Sequence, residues 1–219
     1  MATKKTAITK EKIVSMYMNY ILENGEKPKS VYLFAKSNGF TETDFYAFFG
    51  TIESVEKEIF KTFLDMTIEL LHKDKDYTDY DMKTKMLSFY FTFFELLSAN
   101  RSYVSMILKE HDNQLKNLMQ LSSLRTAFKK YVGEIITDEY RIKQEKFQDF
   151  QKKAIQESSW IQLLLTLKFW LDDDSPSFEK TDIYIEKSVK LSFELMNIAP
   201  IDSLIDFGKF IFKEKIQNK

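Results

Sequence analysis

Few side chains in this sequence are placed to do covalent chemistry. There is no cysteine, which removes disulfides, thiolate zinc sites and thiol nucleophiles. The two histidines, His72 and His111, stand far apart, so a multi-histidine metal centre is not expected. His111 has only Asp112 beside it, and neither imidazole has a nucleophile nearby in sequence. Both read as surface histidines. Asp172-Asp173-Asp174 offers carboxylates to a cation, but Ser175-Pro176 follows directly. Acids just ahead of a helix start favour its positive end, so the triplet reads as a corner. With 5 glycines in 219 residues, a Gly-rich phosphate cradle is not available. No pattern for acyl transfer, phosphoryl transfer or metal hydrolysis is present. The expectation is a non-enzymatic chain with no catalytic residue, cofactor or metal.

The sequence offers binding surface instead. Its 20 Phe and 9 Met suffice for an adaptable apolar pocket. They concentrate in Met82 to Ala99, where Phe89, Tyr90 and Phe91 are consecutive. A helix apolar all round is covered on several sides or lines a cavity. Tyr90, Phe94, Met106, Trp160, Leu164 and Lys168 are the pocket candidates. The alternative is that these rings simply fill the core.

The elements that must position these residues are helices. Ile13, Met16, Tyr17, Tyr20 and Ile21 follow the i, i+3, i+4, i+7, i+8 rule. Thr9 is the expected N-cap and Asn24-Gly25 the stop. Ser30 caps a second helix over Val31 to Ser37, which Asn38-Gly39 ends. Thr41-Glu42-Thr43-Asp44 fits a capping box at the start of a third, expected to run to Phe49. A longer helix runs from Thr51 to about His72. Beyond the connector Lys73 to Asp81, helices are expected over Met82–Ala99, from Ser102 towards His111, over Leu115–Tyr131 and over Ile135–Gln151, with Gly133 as the break between the last two. Ala154–Leu171, Phe178–Asn197 and Ile201–Lys215 complete an all-α chain of about nine to ten helices. No strand alternation or internal repeat appears. No run approaches the ~18 apolar residues of a membrane span, and the Lys-rich first fifteen residues lack the apolar core of a signal. A cytoplasmic chain is expected. A formal charge of −1 argues against a nonspecific nucleic-acid coat but not against a local basic face.

Helix, short helix, tight turn, short helix and long helix within 70 residues is a helix-turn-helix layout. Gly25, Phe34-Ala35, Gly39-Phe40-Thr41, Tyr46-Ala47-Phe48-Phe49 and Ile52-Glu53-Ser54-Val55 resemble, in type and spacing, the N-terminal domain of the TetR family of one-component repressors. The resemblance covers Ile13 to about Phe63. It implies a DNA-binding domain over residues 1–52 and a ligand-binding and dimerisation domain over 53–219. The third helix would enter the major groove, with Glu42, Thr43 and Ala47 at base edges. Ser30, Lys36, Thr41 and Tyr46 would meet phosphates, helped by an arm carrying Lys4, Lys5, Lys10 and Lys12. The sequence departs from the family in two ways. Ile52 stands where a phosphate-holding Lys is common, and no Arg precedes Arg101, which removes the commonest guanine reader. From Gly25 to Ser54 the acids also outnumber the bases by one.

In the family the last long helix pair meets its copy across a two-fold axis. That implies a homodimer built here from Leu163, Leu167, Trp170, Ile183, Ile185, Val189 and Phe193. A second likeness runs from Asp174-Ser175-Pro176-Ser177-Phe178-Glu179-Lys180-Thr181 to Tyr184-Ile185-Glu186. It is similar to the helix-preceding corner in the family of the lipid-binding accessory protein of ubiquinone biosynthesis, which shares the TetR-like fold without being known as a repressor. That family ends in a membrane-touching helix, and Ile201, Leu204, Ile205, Ile211, Phe212 and Ile216 share one face here. The expected function is a TetR-like repressor whose affinity for an operator duplex is changed by an apolar small molecule. The alternative is a lipid or isoprenoid carrier of the same fold that binds no DNA, with peripheral membrane contact through the last helix.

Overall fold

The computed structural model describes residues 8–109, 119–137 and 145–198. His111, Lys4, Lys5 and the amphipathic segment after Pro200 lie outside the described residues. The fold is all-α. Among the described residues there are nine α-helices and no strand: α1 Lys10–Asn24, α2 Val31–Ser37, α3 Glu42–Tyr46, α4 Ile52–Leu71, α5 Met82–Ala99, α6 Arg101–Leu108, α7 Ser122–Thr137, α8 Glu145–Asp172 and α9 Glu179–Ile198. Single 3-10 turns stand at Tyr77–Asp79 and Pro176–Phe178. No described helix is long and apolar enough to cross a membrane.

The chain divides into two compact units, Met1–Leu70 with Thr92–Phe128, and Leu71–Phe91 with Lys129–Lys219. In the first, α1 packs against α6 and α2 against α3. Caps set the helix ends. Thr9 accepts from the Lys12 N–H, and Gly25 takes the left-handed conformation at φ 70° that closes α1. The ring of Phe34 is fully buried and meets Tyr17, Tyr20, Phe40 and Phe45 edge-on, with centroids 5.6–6.3 Å away. Edge-to-face pairs add about 0.5–1.5 kcal/mol each beyond area burial, so one side chain organises the small core under three short helices. α3 is shorter than expected. Its last turn tightens at Ala47, where the Phe48 and Phe49 N–H groups both reach the Phe45 carbonyl at 3.0 Å.

In the second unit α8 and α9 pack together. Gln162 joins them, donating to Ser188 Oγ at 3.3 Å and accepting from Ser192 Oγ at 2.9 Å. α7 passes through Gly133, which is buried inside the helix and does not break it. The reason is space. A Cβ at 133 would lie 2.5 Å from Gln156 Nε2, and that amide donates to the Lys129 carbonyl at 2.7 Å. The Tyr77 and Tyr131 hydroxyls share a buried hydrogen bond of 2.6 Å, and the ring of Phe89 lies 5.0 Å from that of Tyr131. Exposed His72 meets Tyr77 edge-on.

The corner after α8 is built on a buried carboxylate. Asp173 Oδ1 accepts the Ser175 N–H at 2.9 Å and the Ser175 hydroxyl at 2.6 Å. Oδ2 accepts the Thr181 N–H at 2.9 Å and its hydroxyl at 2.6 Å. Asp173, Ser175 and Thr181 are all buried. Between them Ser177 and Phe178 hold left-handed backbone, φ 53° and 60°. Ser175, the expected cap, does not cap the 3-10 turn, but its Oγ accepts the Lys180 N–H at 3.2 Å in the first turn of α9, beside the Thr181 N–H held by Asp173. The triplet therefore serves the corner through its middle member, and no metal-holding cluster occurs among the described residues.

Candidate nucleic-acid interface

Three helices and one ion pair position the candidate reading face. Ser30 Oγ accepts from the Leu33 N–H and starts α2. Gly39, at φ 76°, turns the chain towards α3; a left-handed residue here is what glycine permits at least cost. Thr41 and Asp44 form the capping box. Thr41 Oγ1 accepts from the Asp44 N–H at 3.2 Å, while Asp44 Oδ2 accepts the Thr41 N–H at 2.9 Å and the Thr41 hydroxyl at 2.7 Å. The hydroxyl of Thr41, a phosphate candidate, is thereby engaged inside its own turn.

Behind these helices sits Glu56, a residue that pattern reading missed. It occupies a helical position next to apolar Val55, and nothing local marks it as buried. Only 3% of its surface is exposed. It accepts the Tyr17 hydroxyl at 2.6 Å and pairs with Lys27 Nζ at 2.9 Å. One α4 carboxylate thus ties α1, α4 and the segment before α2. Lys10 belongs to α1 and not to an arm; it pairs with Glu58 at 2.5 Å and lies over the Phe49 ring.

On the open side, Thr43, Tyr46 and Ala47 are exposed at i, i+3, i+4 on α3, while Phe45 and Phe49 are buried behind them. Glu42 is half-buried. α2 exposes Tyr32, Leu33 and Lys36, with Lys36 Nζ 5.7 Å from the Tyr32 ring centre. Ser30 and Lys29 are exposed beside them. The seven residues assigned to DNA therefore lie on α2, α3 and their caps. The face they share is aromatic and short of charge.

The pocket candidates differ in burial and are divided between the two units. Tyr90, Phe94 and Trp160 are buried, Leu164 is half-buried, and Met106 and Lys168 are exposed. Phe94 and Met106 belong to the first unit and the other four to the second. Burial in low dielectric raises the Tyr90 hydroxyl far above its ordinary pKa. Lys168 lines an open recess of about 270 Å³ with Leu165, Phe169, Asp172, Lys180 and Tyr184. There Lys168 pairs with Asp172 at 2.8 Å, and Phe169 stacks on Tyr184 at 4.5 Å.

The residues expected between two copies are placed otherwise. Leu163, Leu167, Trp170, Ile185 and Val189 are buried in their own chain, and Phe193 is half-buried. Among the described side chains, the large apolar ones that α8 and α9 leave exposed are Ile161, Leu165, Ile183, Leu191 and Leu195, each about half accessible. Of the expected set, Ile183 alone is among them.

A family model described as Tetracyclin repressor-like, C-terminal domain, matches residues 85–211. No curated protein matches the chain. The match begins in α5 and includes the whole of α6, α7, α8 and α9, more than half of the 219 residues. The chain belongs to the tetracycline repressor-like family.

Proposed function

We propose that the chain is a TetR-like DNA-binding transcriptional regulator, a repressor whose operator affinity is changed by an apolar small molecule held in the helical body. One observation carries the reading: a second short helix, fixed by a capping box beyond a left-handed glycine, with Thr43, Tyr46 and Ala47 on its open face. Helix-turn-helix proteins lay this element in the major groove. Ser30, Lys36 and Tyr46 lie where phosphates run, and Glu42, Thr43 and Ala47 where base edges do. The DNA-binding region is residues 1–52 and the ligand and dimer region 53–219.

Reading two half-sites requires two heads. The cover for Ile161, Leu165, Ile183, Leu191 and Leu195 is a second copy of the same helix pair, meeting across a two-fold axis. Coupling to an effector has a physical route inside the first unit, where α6 packs directly on α1. A ligand that prefers one placement of α6 biases the placement of the head.

The rival reading, a lipid or isoprenoid carrier that binds no DNA, is favoured by one feature. The face of α2 and α3 is aromatic, and Lys27 is already paired with Glu56. Fluorescence anisotropy separates the two. The full chain is titrated into labelled duplexes spanning the DNA upstream of its own gene, and in parallel into anionic liposomes. Saturable binding to one fragment over the others supports the regulator. Binding to liposomes with no fragment preferred refutes it.

A further inference from the structure

We infer that the head selects A·T pairs through the methyl groups of thymine and does not read guanine. This rests on the DNA-binding reading above and specifies what that face takes. From Thr41 to Gly50 there is no Arg, Lys, Asn or Gln. Those are the side chains that make paired hydrogen bonds to guanine or adenine in the major groove. The hydrogen-bonding groups of Thr41 and Asp44 are engaged with each other in the capping box. What the open face of α3 and its cap presents to the groove is chiefly methyl: that of Thr43 and, four residues on, that of Ala47, both exposed. Methyl-to-methyl contact is how an apolar side chain recognises thymine.

Charge points the same way. Of the lysines between Gly25 and Ser54, Lys27 is held by Glu56, and Lys29 and Lys36 are exposed. With little phosphate attraction from this face, contact area in the groove must supply more of the affinity. The groups on α3 that could meet a G·C pair are Glu42, an acceptor for the cytosine amino group, and the Thr43 hydroxyl, which bonds either pair and so does not select.

The test is selection of the full chain, at low salt, against a duplex library randomised over two half-sites. The enriched duplex is then remade with uracil in place of thymine at single positions, which removes only the C5-methyl. Enrichment of A·T steps is expected, with about fourfold weaker binding for each contacted methyl lost, the transfer value of one buried carbon. Thr43→Ser, which keeps the hydroxyl on an exposed position, should show the same loss on the thymine duplex and no further loss on the uracil one. Enrichment of guanine or cytosine, or binding indifferent to uracil, overturns this inference and leaves the regulator reading standing. No enrichment of any sequence overturns both.

Discussion

Replacing Asp173 by Asn should cost stability in a way that depends on pH. The side chain is 6% exposed and receives four hydrogen bonds, two N–H and two O–H. Burial alone would raise its pKa, but the bonds from Ser175 and Thr181 outweigh burial and hold it at about 2, below the ordinary 3.8. A carboxyl depressed on folding stabilises the folded state above its unfolded pKa, and the contribution is lost as pH falls through the folded value. A shift of that size is worth about 2 kcal/mol at pH 7 and about half that at pH 3. Asn cannot be charged and turns an amide donor towards the same four donors. Its deficit should therefore be at least ~2 kcal/mol at neutral pH and shrink by about 1 kcal/mol on going to pH 3. The network also spans Ser177 and Phe178, whose left-handed backbone costs about 1–2 kcal/mol per residue, so its loss should release the corner. The assay is urea unfolding of both proteins followed by far-ultraviolet circular dichroism between pH 7 and pH 3. The quantity read is the difference between the two curves, which removes the other carboxyl groups. A difference that stays constant over that range would refute the argument. Asp182 provides the opposite sign. Burial and the Asp173 charge raise its pKa, so its ionisation opposes folding and Asp182→Asn should slightly stabilise at neutral pH.

The remaining expectations follow from single contacts. Glu56→Ala removes the acceptor of the Tyr17 hydroxyl and the ion-pair partner of Lys27 and should lower unfolding free energy by about 3 kcal/mol, with Glu56→Gln retaining part of it; equal losses in a thermal melt would refute the charged tie. Lys36→Ala should weaken all duplexes alike and flatten the salt dependence by about two for a pair of heads, read as log affinity against log salt. Leu165→Glu with Leu191→Glu should give a folded monomer by analytical ultracentrifugation, and an unchanged mass would refute the proposed two-fold contact. Gly133→Ala should change stability little in the native chain, because gained helix propensity opposes displacement of the Gln156 amide. In a background with both Gln156→Ala and Lys152→Ala, which clears the Lys152 Cε at 2.9 Å as well, the same change should stabilise by about 0.5–1 kcal/mol, and calorimetry of the four proteins tests that coupling.

The ends of the short helices were legible because local chemistry decides them. Thr9, Ser30 and the Thr41–Asp44 pair cap as their spacing predicts, and Gly25 and Gly39 are left-handed where a stop was expected. Those bonds span three or four residues, so the sequence shows both partners. Glu56 was not legible, because Tyr17 is 39 positions away and only the packing of α4 against α1 brings them together. Gly133 misleads for the same reason. Its need for a small side chain comes from Gln156 and Lys152 on another helix, and in the sequence a glycine required by a neighbour looks like one that breaks.

That most of the residues expected between two copies are buried in their own chain has a geometric cause. On α8 the buried series is Trp160, Leu163, Leu167 and Trp170, and the exposed pair is Ile161 and Leu165. Two residues apart on a helix is about 160° around the axis, so Leu163 and Leu165 look in nearly opposite directions. α9 repeats the arrangement, with Ile185 and Val189 buried and Ile183 and Leu191 exposed. Each helix thus carries two apolar stripes back to back. Periodicity detects both stripes but not which one its own chain covers, since that depends on what lies beneath. Once the inner stripe is assigned to the chain's own core, the outer one is an apolar surface on two adjacent helices, and surfaces of that kind on a folded chain mark contact with another molecule. The two-fold contact proposed above therefore rests on Ile161, Leu165, Ile183, Leu191 and Leu195, the apolar residues that α8 and α9 leave exposed among the described side chains.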